Sequence, residues 1–237
     1  MSALPHNLHN RIAHSVEILR LAATADAPAT FANSLGAEDI VLTDLIYRQV
    51  PEIDDFMLDT GRLPAETYAL LEQVRARYGR APRIYCPDTE ALETFVNAFG
   101  ANAFYDSVAL RKRCCAIRKI EPLRRALHGY KSWVTGLRRE QSVTRLALDV
   151  REWDEGNGLF KFNPLADWSE AEIWGYIRSR DLPYNTLHDR HYPSIGCAPC
   201  TRAIAQGEDV RAGRWWWEQP ESKECGLHRY VDGNASA

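Results

Sequence analysis

The chain has 237 residues, 45% of them hydrophobic and 26% charged, and a formal charge of −3 from 29 Lys+Arg against 32 Asp+Glu. These values fit one large globular domain, or one with a terminal appendage, and exclude a wholly disordered chain. They supply no global basic field, so no nucleic-acid partner is expected.

The first residues, through Ala27, alternate His, Asn, Arg and Glu with Leu and Ile. They lack the unbroken apolar centre of a secretory signal and read as an amphipathic helix over 8–24. No run approaches the ~18 apolar residues of a membrane span, so no membrane partner is expected and a cytoplasmic location follows. The pattern then alternates short strands with helices. Thr30–Asn33 reads as a strand into the turn Ser34-Leu35-Gly36, followed by a helix over Ala37–Gln49. Asp55–Leu58 is a strand into Asp59-Thr60-Gly61, with a helix over Pro64–Tyr78. Arg83–Cys86 is a strand, Thr89–Phe99 a helix, and residues 107–128 carry one long helical pattern. Ser132–Thr135 is a strand ending at Gly136. This alternation predicts an α/β fold, a mostly parallel sheet with helices on both faces. Ligands on such sheets sit beyond the strand C-termini, which gathers the turns at 34–39, 59–62 and 136–142 on one edge. Further on, Val150–Trp153 and Leu159–Phe162 suit a hairpin. Ser169–Arg180 is a helix with capping-box spacing between Ser169 and Glu172. After Leu182 the chain becomes rich in Pro, Gly, Cys and charge. A body over 1–205 and a mobile C-terminal tail over 206–237 are expected.

Six cysteines in a compartment where disulfides rarely persist point to metal binding or thiol chemistry. Cys114 and Cys115 are adjacent, and Cys197 and Cys200 form Cys-Ala-Pro-Cys. Two thiol pairs suit either zinc or an iron–sulfur cluster. Neighbours on a helix diverge by about 100°, so they reach two metal atoms more easily than one. That favours a cluster and leaves zinc open. Lys119 lies four residues after Cys115 on the same helical face, whereas Arg111, Lys112 and Arg113 read as a solvated basic face. Cys86, ending a strand, reads as a small buried residue. Cys225 sits in a polar, Gly-punctuated segment with Lys223, His228 and Arg229, cations that lower a thiol pKa and suit a nucleophile.

Three stretches, Cys114-Cys115-Ala-Ile-Arg-Lys119, Gly196-Cys197-Ala-Pro-Cys200-Thr-Arg and Glu224-Cys225-Gly226-Leu227-His228, resemble the assimilatory adenylyl-sulfate (APS) reductases, relatives of phosphoadenylyl-sulfate (PAPS) reductase. The resemblance runs from about residue 30 to 230. It implies an adenine-nucleotide α-hydrolase-like fold, a [4Fe–4S] cluster on Cys114, Cys115, Cys197 and Cys200, and Cys225 as catalytic nucleophile. It also implies sulfite and AMP as products, with thioredoxin as a transient reductant. Relatives lacking the paired cysteines generally use PAPS, so the four thiols favour APS. Ser34-Leu35-Gly36-Ala37-Glu38-Asp39 resembles the family's modified phosphate loop, with Ser34, Gly36 and Glu38 at the substrate. Leu35 replaces a Gly of pyrophosphatase relatives, which argues against ATP-cleaving chemistry. Asp59, Thr60, Gly61 and Arg62 match a loop near the nucleoside. Gly136 to Ser142 matches an arginine loop, in which Arg138 and Arg139 suit bidentate bonds to phosphate or sulfate. By the same resemblance Lys119, Arg211, Arg214 and His228 face the anionic end of the substrate. Trp215, Trp216 and Trp217 read as packing for the tail base, and His188 to His191 as a plain loop.

The competing readings are a PAPS reductase, an iron–sulfur tRNA thiolation enzyme and a zinc-stabilised nucleic-acid module. Assembly into a homo-oligomer is left open by the sequence.

Overall fold

The computed structural model describes residues 6–141 and 147–219. Among these, helix α1 (His6–Thr24) precedes six strands that form one sheet. The strands are β1 (Ala29–Ala32), β2 (Asp54–Leu58), β3 (Arg83–Tyr85), β4 (Ser132–Val134), β5 (Arg151–Asp154) and β6 (Leu159–Phe162), in the spatial order β3-β2-β1-β4-β6-β5. All neighbours are parallel except the β5–β6 hairpin. The chain builds β1, β2 and β3 outward in one direction, then returns to place β4 on the other side of β1. This reversal opens a crevice between β1 and β4 beyond their C-terminal ends, the place where such sheets hold ligands.

The crossovers are α2 (Ala37–Gln49), α3 (Ala65–Tyr78), α4 (Thr89–Phe99), α5 (Val108–Cys115) and α6 (Glu121–Leu127), and α7 (Glu170–Ser179) follows the hairpin. Helix starts follow local chemistry. Asp88 and Ser107 cap α4 and α5 by accepting the N–H groups of Ala91 and Leu110, and Ser169 with Glu172 closes the expected capping box on α7. One face of the sheet packs Phe31, Val134 and Phe162 against Leu19, Val41, Ile46, Leu70 and Ile177 of α1, α2, α3 and α7. The other packs Phe56, Trp133 and Leu159 against Leu123, Ala126 and Leu127 of α6. Helices therefore cover both faces, as the alternating pattern requires. No described helix is long and apolar enough to cross a membrane.

Three expectations are corrected. The helical pattern over 107–128 is not one helix, because Ala116–Ile120, directly after the cysteine pair, takes a π-helical turn between α5 and α6. Such insertions re-aim side chains and recur at functional sites. Arg111 is not on a solvated face but buried, donating to Glu218 through Nε (2.8 Å) and Nη2 (2.7 Å). Cys86 is exposed, since it follows the edge strand β3, whose outer side nothing covers among the described residues. Residues 206–219 pack on the body. Arg202 N–H donates to Gly213 O, Trp215 N–H donates to Cys200 O, and Glu218 meets Arg111.

Candidate active site

A cavity of about 240 Å³ lies over the C-terminal ends of β1, β2 and β4. The three turns singled out in the sequence all reach it, through Ser34, Glu38 and Asp39, through Thr60, and through Gly136, Leu137 and Gln141. Its floor is apolar, with Phe56, Leu58, Leu123 and Trp133, and Lys119 enters from the π-helical turn. An apolar slot with a few polar groups at one rim suits a flat nucleoside.

The turn before α2 is tied to itself. Asp39, in the first turn of α2, accepts Ser34 N–H (2.7 Å) and the Ser34 hydroxyl (2.5 Å). Burial pushes its carboxyl up to about 7, against the lowering effect of the Ser34 bonds. Glu38 is held by Arg138 Nε at 2.9 Å. A side chain at Gly136 would overlap Asp39 Oδ1, so only a glycine lets the third turn close on the first.

A second, smaller pocket adjoins the first. It is lined by Cys114, Cys115, Cys197 and Cys200, with Arg62, Arg111, Arg118 and Lys119 around them. The paired cysteines, with 81 residues between Cys115 and Cys197, converge because the 197–200 turn is pinned to the body. Ala198 N–H donates to Arg62 O (2.8 Å), and Tyr105 donates from its hydroxyl to Pro199 O (2.7 Å). Phe104, Trp215 and Trp217 pack beside the thiols. Burial pushes the Cys200 thiol up to about 12 and raises that of Cys114, the latter opposed by Arg118. Thiolates in such a pocket need positive charge, and a metal supplies it most directly. Among the described residues no three His, Cys, Asp or Glu side chains are set to share a single ion, although all four thiols border one pocket.

The two pockets meet. Lys119 lines both, and Thr60 Oγ1 lies 3.2 Å from Cys197 Sγ. Arg118 is buried and donates from Nη1 to Thr60 O at 2.5 Å, which ties the nucleoside loop to the helix of the cysteine pair.

The expected site residues divide accordingly. Ser34, Glu38, Thr60 and Lys119 line the nucleotide cavity. Arg62 borders the cysteine pocket instead, stacked 5.2 Å from the Phe104 ring centre. Asp59 does not line either cavity; it shapes the turn, accepting Gly61 N–H (2.8 Å) and the Tyr68 hydroxyl (2.8 Å). Gly61 supplies the left-handed φ of 67° that this turn needs, and Gly36 is the residue before α2. Arg138 is buried between Glu38, Glu140 and Trp168 O, and Arg139 pairs with Asp167. Arg214 is buried at the cavity rim. Its guanidinium lies on Gly196, where any side chain would collide with it. Arg211 lies outside both cavities. Cys225 and His228, like Ser142, lie outside the described residues. Asp39, Arg118 and Gly196 were not expected at the site. Asp39 carried a signal in its place beside Ser34 and Gly36, and Arg118 in its place between Cys115 and Lys119, but a basic run does not say which cation turns inward.

Residues 28–203 match the family described as phosphoadenosine phosphosulfate reductase domain. The chain belongs to this family. It is 58% identical over 222 residues to the adenosine 5'-phosphosulfate reductase of Allochromatium vinosum, covering 94% of this chain and 87% of that one. It is 57% identical over 198 residues to the protein of the same name from Burkholderia cepacia, covering 84% and 79%. Among solved structures, the PAPS reductase of Candida auris in a phosphate complex is similar with a TM-score of 0.69 and 28% identity, covering 86% of this chain and 99% of that one. The FMN adenylyltransferase of Candida glabrata (TM-score 0.57, 16% identity, 100% and 81% covered) shares the fold. The crevice at the β1–β4 reversal and the four-thiol pocket beside it share Lys119 as a lining residue.

Proposed function

We propose that the protein reduces adenosine 5'-phosphosulfate to sulfite and AMP in sulfate assimilation, with Cys225 as nucleophile and thioredoxin as electron donor. The observation that carries this reading is Lys119, the side chain common to the nucleotide cavity and the four-thiol pocket. The names of the relatives, adenosine 5'-phosphosulfate reductases at 47–58% identity, support the substrate.

The adenosine occupies the apolar slot between the first two turns. The phosphosulfate points toward Lys119 and the rim at Gly196 and Arg214, where cations offset the repulsion between two anions. The Cys225 thiolate attacks the sulfate sulfur, a sulfur–sulfur bond forms, and the sulfur–oxygen bond to phosphate breaks. AMP leaves with that electron pair. A thioredoxin thiolate then attacks Cys225 Sγ, expelling sulfite, and the second thioredoxin thiol releases Cys225 as the thioredoxin disulfide closes. The dithiol thus supplies both electrons. In this reading Arg138 and Arg139 hold Glu38 and Asp167, and leave the anion to Lys119 and Arg214. Cys114, Cys115, Cys197 and Cys200 would hold a [4Fe–4S] cluster, which supplies charge and rigidity beside Lys119. The fit lies in the donor set, four buried or half-buried thiols around one pocket.

Anaerobic incubation with the substrate, followed by intact mass and peptide mapping, tests the reaction. A sulfonate adduct on Cys225, absent from Cys225→Ser, is expected, and PAPS should react more slowly. Sulfite release by Cys225→Ser at the wild-type rate would overturn the assignment.

A further inference from the structure

The run Trp215-Trp216-Trp217 points in two directions. Trp215 is buried and packs with Trp217 beside the thiols, whereas Trp216 between them is 40% exposed. Trp216 is not isolated. Tyr105, 42% exposed, lies in the short turn Ala103–Tyr105, with its ring centre 6.3 Å from that of Trp216 and 4.5 Å from that of Trp217. The rings of Trp216 and Trp217 are 4.8 Å apart. Scattered apolar side chains are ordinary on a surface, but adjoining exposed aromatic rings are the residue types that interfaces collect. Neither Trp216 nor Tyr105 lines the nucleotide cavity or the four-thiol pocket, so substrate chemistry does not account for their exposure.

The path of the chain says what comes to this face. The buried Arg111–Glu218 pair fixes position 218, two residues past Trp216. Cys225 is seven positions farther on, and seven residues of extended chain span at most about 25 Å. A dithiol protein of about 100 residues has a radius of gyration of about 13 Å. With its thiol on Cys225, such a partner lies within about one molecular diameter of Trp216. We propose that the exposed rings of Trp216 and Tyr105 are the docking surface for the thioredoxin that reduces the Cys225 adduct. The rings bind the apolar surface bordering its dithiol, and the short tether keeps Cys225 at high effective concentration beside the attacking thiolate. The inference rests on the reading of Cys225 as nucleophile and thioredoxin as donor, and adds where the donor binds.

Two half-reactions of the anaerobic, cluster-loaded protein test it. Adduct formation on Cys225 is timed by intact mass with substrate alone. Sulfite release from the adduct is then followed with thioredoxin or with dithiothreitol, a small dithiol that needs no docking surface. Trp216→Ser should raise the thioredoxin concentration for half-maximal release at least tenfold, with adduct formation and release by dithiothreitol within twofold of wild type. Trp216→Phe, which keeps a ring, should stay within threefold. Trp153→Ser, which removes a 50% exposed ring from edge strand β5, should match wild type throughout. An unchanged thioredoxin requirement in Trp216→Ser, or an equal rise in Trp153→Ser, would overturn the proposal. So would slower adduct formation or an equal loss with both dithiols, which would give the rings to the chain's own C-terminal residues or to a second copy. If wild type forms no adduct, the Cys225 reading fails instead, and the steady-state KM for thioredoxin, compared between wild type and Trp216→Ser, judges the surface by itself.

Discussion

Asp39 and Gly196 show how single residues set the site's electrostatics. Asp39 has its carboxyl pushed up to about 7 by burial, so the folded state holds its proton more tightly than the unfolded chain does. The stability this gives is complete below the ordinary carboxylate range and is lost as pH rises from about 4 to about 7. Asp39→Asn removes the dependence. Its melting temperature relative to wild type should therefore be higher at pH 8 than at pH 5, and an equal difference at both would show that the carboxyl is not strained by burial. Gly196 works through its neighbour. A methyl there meets only the end of the Arg214 side chain, a flexible group that can move aside. Gly196→Ala should leave the melting temperature within a few degrees of wild type but raise KM for the nucleotide about tenfold, the scale of one displaced charged hydrogen bond. An unchanged KM would remove Arg214 from the site.

At the scale of elements, α5 and its π-helical extension are the shared wall of the two pockets. The cysteine pair ends α5, Arg118 and Lys119 follow in the π-helical turn, and Arg111 lies one turn before the pair. Arg111 and Glu218 are both nearly fully buried, and Arg111 also stacks 4.8 Å from the Trp215 ring centre. The pair fastens residues 215–218 to the helix that carries Cys114 and Cys115, seven positions before Cys225. Removing one partner strands a buried charge, at a cost of about 3–5 kcal/mol. Glu218→Ala should lower the melting temperature on the order of 10 °C. Arg111→Met combined with Glu218→Leu should recover most of that loss, because two apolar groups leave no charge unpaired. If the double variant is as unstable as Glu218→Ala, the contact matters through shape and not through charge.

The whole molecule joins a ready-made nucleotide crevice to a thiol pocket assembled from distant segments. Trp215 and Trp217 pack on that pocket, so its occupancy has an optical readout. On the proposed occupancy by a [4Fe–4S] cluster, stripping iron from the purified protein should bleach visible absorption, raise tryptophan fluorescence and lower the melting temperature together. Protein that keeps its melting temperature and emission on bleaching would not hold the group at these cysteines.

The sequence by itself determined the periodic elements, the gathering of three turns at one sheet edge, and the two cysteine pairs, because periodicity, capping and turn chemistry act over a few residues. It also marked Lys119, which lines one pocket with Cys115 although the turn between them is π-helical. Only the tertiary structure decided which cations are committed. Arg111, Arg138 and Arg139 meet acids that lie far from them in sequence or across a turn, and no local pattern reports such a pairing. The same holds for the approach of Gly136 to Asp39, about a hundred positions apart, where an added side chain would strike Asp39 Oδ1. A contact between segments joined only through the sheet is written in the packing, where burial and charge are settled at once.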